Sequence, residues 1–271
     1  MDSPASFQIM KTITSKDNPL IKEAASLKEK KYRDGLGMFL VEGPNLVREL
    51  MEFGGRPRFI FLKAGAGDEA QQLALKAEKL TAVYEIPEGL FSKVATDNTP
   101  QGIIAAANKP EWTMDRFFEE TKDRNILVLD RLQDPGNTGT LIRTAEALGF
   151  GGIIFVKGTA DPFQPKVVRA AAGSVLRMPM LFLESGKDAA VILKAKGKKL
   201  YAAFMEGSVS IQDADLKANA AVVIGNEGNG VSQELAEASE KLFIPMDGKT
   251  ESLNAAIAGT IIMYESKRQR S

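Results

Sequence analysis

Short apolar runs alternating with stretches of helical spacing set the pattern of this chain. In the second half the runs are nearly continuous: Asn125–Asp130, Gly152–Val156, Lys199–Met205, Ala220–Ile224 and Lys241–Ile244. Runs of that length and uniform apolarity predict strands buried on both faces. Between them, Thr138–Leu148, Pro165–Leu176, Lys187–Ala195, Ser232–Ala238 and Leu253–Arg268 carry helical spacing. The expected fold for residues 125–271 is therefore a parallel sheet with helices on both faces. Residues 1–110 read as a smaller α/β unit. Its expected helices are Pro19–Arg33, Asn45–Phe53, Glu69–Leu80 and a short one ending at Val94, and its strands are Met38–Val41, Phe59–Leu62, Val83–Ile86 and Gly102–Ala106. Residues 111–124, with Trp112 and five acids, read as the linker between them.

Composition narrows the chemistry. The 271 residues are 44% hydrophobic and 26% charged, the balance of an ordinary globular protein, and Lys+Arg equals Asp+Glu at 35 each. Net charge thus points to no partner. The absence of histidine excludes a Ser-His-Asp triad, an imidazole base and a histidine-ligated metal, and the absence of cysteine excludes a disulfide framework or thiolate nucleophile. No metal is expected. The N-terminus has no apolar run of signal-peptide length, and the longest uncharged stretch, Ser252–Tyr264, falls short of the ~20 residues that span a bilayer. A cytoplasmic location without membrane contact is the expectation.

In a parallel α/β sheet ligands bind beyond the C-terminal strand ends, and three loops there are unusual. Asp130–Asn137 (DRLQDPGN) precedes a helix for which Asn137 is the expected N-cap. Gly225–Gly230 (GNEGNG) has three glycines, which let backbone approach a ligand closely. Pro245–Asn254 (PMDGKTESLN) contains Gly248-Lys249-Thr250, half of a P-loop whose first glycine would fall at Phe243. The glycine order G-x-x-G-x-G is not the dinucleotide fingerprint, although Asp247 imitates its ribose-binding acid. A nicotinamide dehydrogenase is thereby a weak rival. Taken alone, Arg143 could be a solvated residue paired with Glu146, and the alanines after Asn254 simply a buried helix.

Together the loops resemble the three motifs of the SpoU/TrmH family of RNA 2′-O-methyltransferases, within the SPOUT superfamily. Asn137 and Arg143 match the first, Gly225–Gly230 with Glu227 the second, and Ile244-Pro245-Met246 with Ser252-Leu253-Asn254 the third. The chain departs at Ala255-Ala256-Ile257-Ala258, where the family often has V-S-V-A. Ser15–Pro19, Phe39–Gly43 and Pro100–Gly102 resemble the substrate-binding domain fused to many of these enzymes, a fold akin to kink-turn-binding ribosomal proteins.

The resemblance implies a small N-terminal α/β/α RNA-binding domain and a C-terminal α/β domain with a trefoil knot. It implies a homodimer through the C-terminal domain and S-adenosylmethionine held around Gly225, Ile244, Met246, Ser252 and Leu253. The implied reaction is methylation of a ribose 2′-hydroxyl, in ribosomal RNA ahead of tRNA. Asn137, Arg143, Glu227 and Asn254 are the expected catalytic residues. Arginine is a poor base, so Arg143 is expected to clamp phosphate and alkoxide, with Glu227 and Asn254 orienting Arg143 or the ribose. Between Lys11 and Arg33, seven basic residues against three acids give net +4. Lys16, Lys28, Lys30, Lys31 and Arg33 are the expected RNA contacts. A non-catalytic RNA-binding or ribosome-assembly protein is the other rival, which the presence of every motif residue disfavours.

Overall fold

The computed structural model describes residues 10–53, 55–206, 209–248 and 252–271. Two compact units emerge, one of Met1–Pro110 with Phe163–Pro165, the other of Glu111–Pro162 with Lys166–Ser271. The segment 111–124, expected as a linker, groups with the second unit. It forms α6 (Met114–Glu120), whose Phe117 and Phe118 are buried in that unit's core.

The first unit has a five-stranded sheet of order β1-β4-β3-β5-β2. Its strands are β1 (Lys11–Thr12), β2 (Met38–Glu42), β3 (Pro57–Lys63), β4 (Ala82–Ile86) and β5 (Ile103–Asn108). The sheet is mixed, because β5 runs antiparallel to both neighbours while β1, β4 and β3 are parallel. Alternate residues split between two helical layers. Met38, Leu40, Phe59, Phe61 and Ile104 pack with α1 (Pro19–Ser26) and α5 (Glu88–Val94), while α3 (Pro44–Glu52) and α4 (Asp68–Ala77) cover the other face. The expected single helix Pro19–Arg33 is two. Helix α1 starts under an Asn18 cap, whose side chain accepts the Leu20 N–H, and α2 (Lys30–Leu36) follows a break at Leu27–Glu29. Arg33 fastens that break, donating to the carbonyls of Leu27 and Lys28 at 2.9 and 2.7 Å.

The second unit has a seven-stranded sheet of order β10-β12-β9-β11-β6-β7-β8, parallel throughout. Its strands are β6 (Ile126–Asp130), β7 (Gly152–Val156), β8 (Met180–Leu183), β9 (Lys199–Ala203), β10 (Val209–Ser210), β11 (Ala220–Ile224) and β12 (Glu240–Phe243). Ile126, Val128, Ile154, Ala221 and Val223 pack with α6, α9 (Gly186–Ala195) and α10 (Gln233–Ala238). The opposite face carries α7 (Pro135–Ala147) and α11 (Ala255–Gln269). The expected helix Pro165–Leu176 stops as α8 at Ala170, since Ala172 and Gly173 take positive φ of 44° and 83° before one 3₁₀ turn. Close contact of α11 with α7 and β11 requires Gly259, where a Cβ would stand 2.5 Å from Leu141 Cδ2. Buried Asn125 ties four segments: it donates to the Leu216 carbonyl and Ser266 Oγ and accepts the Ala220 N–H. From β6 the chain steps outward through β7 and β8, then crosses to β9 and returns to place β11 between β9 and β6. Strand order therefore reverses beside β6 and β11, where a ligand crevice opens.

Candidate active site

The loops after β6, β11 and β12 meet at that crevice. Glu227, on the glycine loop, accepts three hydrogen bonds from the β6 loop. The backbone N–H of Gln133 and Asp134 donate at 3.1 and 3.0 Å, and Asn137 Nδ2 at 3.0 Å. Asn254 Nδ2 in turn donates to Asn137 Oδ1 at 3.1 Å, while its own Oδ1 caps α11 by accepting the N–H of Ala256 and Ile257. One continuous chain of bonds, Glu227–Asn137–Asn254, thus joins all three loops. Partial burial raises the Glu227 pKa, but donation from Asn137 and from the backbone N–H of Gln133, Glu227 and Asp134 outweighs it and leaves the carboxyl below its ordinary range. Both carboxylate oxygens are thereby engaged by donors from the β6 loop.

Asn137 is not the N-cap expected of it. Helix α7 begins earlier, with Asp134 as cap, its Oδ1 accepting the Asn137 N–H at 2.7 Å, and Pro135 in the first turn. Proline needs no N–H partner at that position and its fixed φ suits a helix start. The shift places Asn137 inside the first turn, its amide free to bridge Glu227 and Asn254.

Beside the network lies a cavity of about 380 Å³, within the size range of small-ligand sites. Gly225, Ile244, Met246, Ser252 and Leu253 all line it, with Glu227 and Asn254 at its polar side and Ile224, Leu242 and Ile262 at its apolar side. Gly225 is obligatory there, because a Cβ would come within 2.4 Å of the Gly230 and Val231 backbone. Apolar walls with a few polar atoms suit a nucleoside carrying a charged tail. Asp247 is exposed and does not line the cavity, while Lys249 and Thr250 fall outside the described residues.

Arg143 stands apart. It is exposed on α7, does not line the cavity, and has no hydrogen bond or ion pair with any described residue. Glu146 pairs instead with Arg177, whose Nη2 donates to it at 2.8 Å. Glu227 and Asn254 orient Asn137 and not Arg143. Sequence reasoning passed over Asp130, Arg131, Asp134 and Asn226. Asp134-Pro135 carried a readable signal, the cap-then-proline order of a helix start.

The basic segment of the first unit is only partly presented to solvent. Lys16 is exposed, Lys30 pairs with Asp34 at 2.5 Å, and Lys31 lies 3.8 Å from Glu29 and 4.6 Å from the centre of the Tyr32 ring. The Lys28 ammonium donates to the Lys93 carbonyl at 2.7 Å. Arg33 is 3% exposed, so its expected role as an RNA contact is corrected to that of an internal brace for the α1–α2 junction.

Comparison with known proteins matches both units. The SpoU rRNA Methylase family model covers residues 124–264, and the MRM3-like substrate binding domain covers residues 18–105. The 23S rRNA (guanosine(2553)-2′-O)-methyltransferase RlmP of Bacillus subtilis (strain 168) is 36% identical, covering 94% of this chain and 98% of that protein. An AdoMet-bound rRNA methyltransferase from Sinorhizobium meliloti is similar at TM-score 0.85 and 32% identity, over 96% of this chain and 98% of the other. AviRb of Streptomyces viridochromogenes, in complex with AdoMet, is similar at TM-score 0.82 and 28% identity, over 93% and 99%. The chain belongs to the SpoU rRNA methylase family, and it is an S-adenosylmethionine-dependent RNA ribose 2′-O-methyltransferase.

Proposed function

We propose that this enzyme methylates a ribose 2′-hydroxyl of large-subunit ribosomal RNA, with residues 1–110 holding the RNA and residues 125–271 performing the transfer. The observation that carries the assignment of roles is the Glu227–Asn137–Asn254 chain of hydrogen bonds beside the cavity. Support for the substrate comes from near-full-length similarity to a protein named for 23S rRNA and from the match of residues 18–105 to a substrate-binding domain.

S-adenosylmethionine supplies an electrophilic methyl group. Gly225, Ile244, Met246, Ser252 and Leu253 hold it through backbone and apolar contact. The Asn137 amide has one N–H and one lone pair left after its two bonds, enough to orient a ribose hydroxyl. Glu227 and Asn254 fix that amide. Arg143, unpaired among the described residues, grips the substrate phosphate and the developing 2′-alkoxide with its planar fork. The 2′-hydroxyl proton passes to the substrate phosphate or to water, leaving an oxygen stabilised by the guanidinium charge.

A homodimer through the C-terminal unit is part of this reading. Helix α11 leaves Ile257 and Tyr264 52% and 61% exposed, seven residues apart and hence on one face. A second copy would cover such a stripe. The trefoil knot and a cytoplasmic location are proposed with it, alongside the observation that no described helix is long and apolar enough to cross a membrane. The decisive experiment maps ribose methylation in ribosomal RNA from cells with and without the protein, then reproduces the mark with purified enzyme. Loss of one 2′-O-methyl in large-subunit RNA is the expected result. An unchanged map, with RNA binding but no transfer in vitro, would return the assembly-factor reading.

A further inference from the structure

The acid that ends β6 and the arginine after it stand outside the network just described. Asp130 is fully buried, where a carboxylate must be partnered to stay charged. Its Oδ2 accepts the Ser232 N–H at 2.5 Å and its Oδ1 accepts from Arg131 Nε at 3.3 Å. Arg131 holds the left-handed conformation, φ 58°, that side-chain-bearing residues rarely adopt. That turn lays its side chain beside Gly158 and brings Nη2 to the Gly230 carbonyl at 3.4 Å, while its own carbonyl accepts from Asn226 Nδ2 at 2.9 Å. Asn226, Gly230 and Ser232 are therefore all fastened to two consecutive residues of the β6 end.

The loop so fastened is a closed ring. Asn226 and Gly230 exchange backbone hydrogen bonds at 3.0 and 2.9 Å, and Asn226 Oδ1 accepts the N–H of Gly228 and Asn229. Gly225, Asn226, Glu227, Gly228 and Gly230 form one wall of the cavity, which Arg131 itself does not line. A ring stiffened internally and tied from behind can shift against the cavity, carrying that wall with it, while the Glu227 carboxylate keeps its own bonds to the β6 loop.

We propose that the Asp130–Arg131 pair is a latch that sets the position of the glycine loop against the cofactor cavity, making Arg131 a positioning residue for S-adenosylmethionine. The proposal rests on the assignment of that cavity to the cofactor. The guanidinium suits the task because its fork addresses the Asp130 carboxylate and the Gly230 carbonyl together, which a single ammonium does less well. With 39% of its side chain exposed, Arg131 buries little apolar surface, so its loss acts through the Asp130 partnership and the loop position and not through core packing.

Calorimetry and steady-state kinetics on the full-length chain test this with three variants. Asparagine accepts left-handed backbone readily but cannot reach the loop, and it leaves buried Asp130 with the Ser232 N–H and no cation. Arg131→Asn should therefore melt several degrees below wild type, and its binding is compared well below both midpoints. Its dissociation constant and KM for S-adenosylmethionine should both rise about tenfold, the loss of one charge-assisted contact, with kcat at saturating cofactor nearly unchanged. Arg131→Lys should recover part of the affinity. Ala258→Phe, which fills the cavity from α11, should abolish cofactor binding. Wild-type affinity in Arg131→Asn beside its loss in Ala258→Phe would overturn the latch and leave the cavity assignment standing. Undiminished binding by Ala258→Phe would overturn both. A fall in kcat with KM unchanged in Arg131→Asn would also overturn the latch, placing Arg131 in the chemistry.

Discussion

The basic segment of the first unit and the three loops of the second were both candidates for function, and the structure treats them differently. In the segment Lys11–Arg33 the candidates were chosen by charge alone, and several charges are used locally: Arg33 braces a helix junction, Lys28 binds a carbonyl and Lys30 pairs with Asp34. In the loops the candidates were chosen by residue type at fixed spacing. There, Glu227, Asn137 and Asn254 meet through mutual hydrogen bonds. Charge density says where a phosphate is tolerated; it does not say which cations remain free after folding. A spaced set of amides and acids carries the geometry itself.

Four variants would sharpen or break that contrast. The largest effect belongs to Arg143→Lys, which keeps charge but loses the fork. Single-turnover methyl transfer should fall at least about a hundredfold, roughly 3 kcal/mol of transition-state stabilisation, with cofactor affinity unchanged. Near-equal rates would reduce Arg143 to a surface residue. Next, Arg33→Ala strands two helix-end carbonyls in a buried place, so denaturant melts should show a loss of about 2 kcal/mol. The salt dependence of RNA binding should stay as in wild type. A flatter salt slope with intact stability would restore Arg33 as an RNA contact.

Glu227→Gln comes third. The glutamine keeps one acceptor oxygen but turns a donor toward N–H groups, and a rate loss of about tenfold is expected. Its pH dependence gives a second readout. The folded pKa of Glu227 is lowered, so its contribution is complete above the unfolded carboxylate pKa and fades as pH falls through the folded value. Wild-type stability should therefore decline as pH falls below the ordinary carboxylate range, and acid melts of the Gln variant should lack that part of the limb. The smallest effect is the Lys16→Ala, Lys31→Ala pair. Stability should change by no more than about 0.5 kcal/mol, and the slope of log affinity against log salt should flatten by about 1 to 2. An unchanged slope would move the RNA surface elsewhere on the unit.

Most of the architecture was legible because strand and helix periods differ so clearly. Buried strands such as β6, β7 and β11 announced themselves as apolar runs. Strand β8 did not: Met180–Leu183 follows Pro179 directly, forms one edge of the sheet and leaves Phe182 exposed, so no alternation or long run marks it. The break between α1 and α2 was hidden because Leu27–Glu29 has ordinary helix formers and the interruption is held by the Arg33 guanidinium folding back onto it, which no periodicity signals. At the site, motif spacing named the residues but not their partners. Asn137 was read as a cap because Asp134 two residues before Gly136 looked like loop, and only the folded turn shows the asparagine facing Glu227. Asp130 was invisible for a simpler reason: an acid closing an apolar strand has no period, and its role depends on Ser232, met a hundred residues later.

The bonds that build the site also fix when it can exist. Asn137 is 90 residues from Glu227 and 117 from Asn254, and Asn125 is 141 from Ser266. Contacts of such sequence separation close long loops and form slowly. A partly folded chain, with β6 and β7 paired but β11 and α11 undocked, has neither the glycine wall nor the amide bridge. Cofactor then has nothing to bind except the finished fold, and by mass action a concentration of about a hundred times the dissociation constant adds about 2.7 kcal/mol to that state alone.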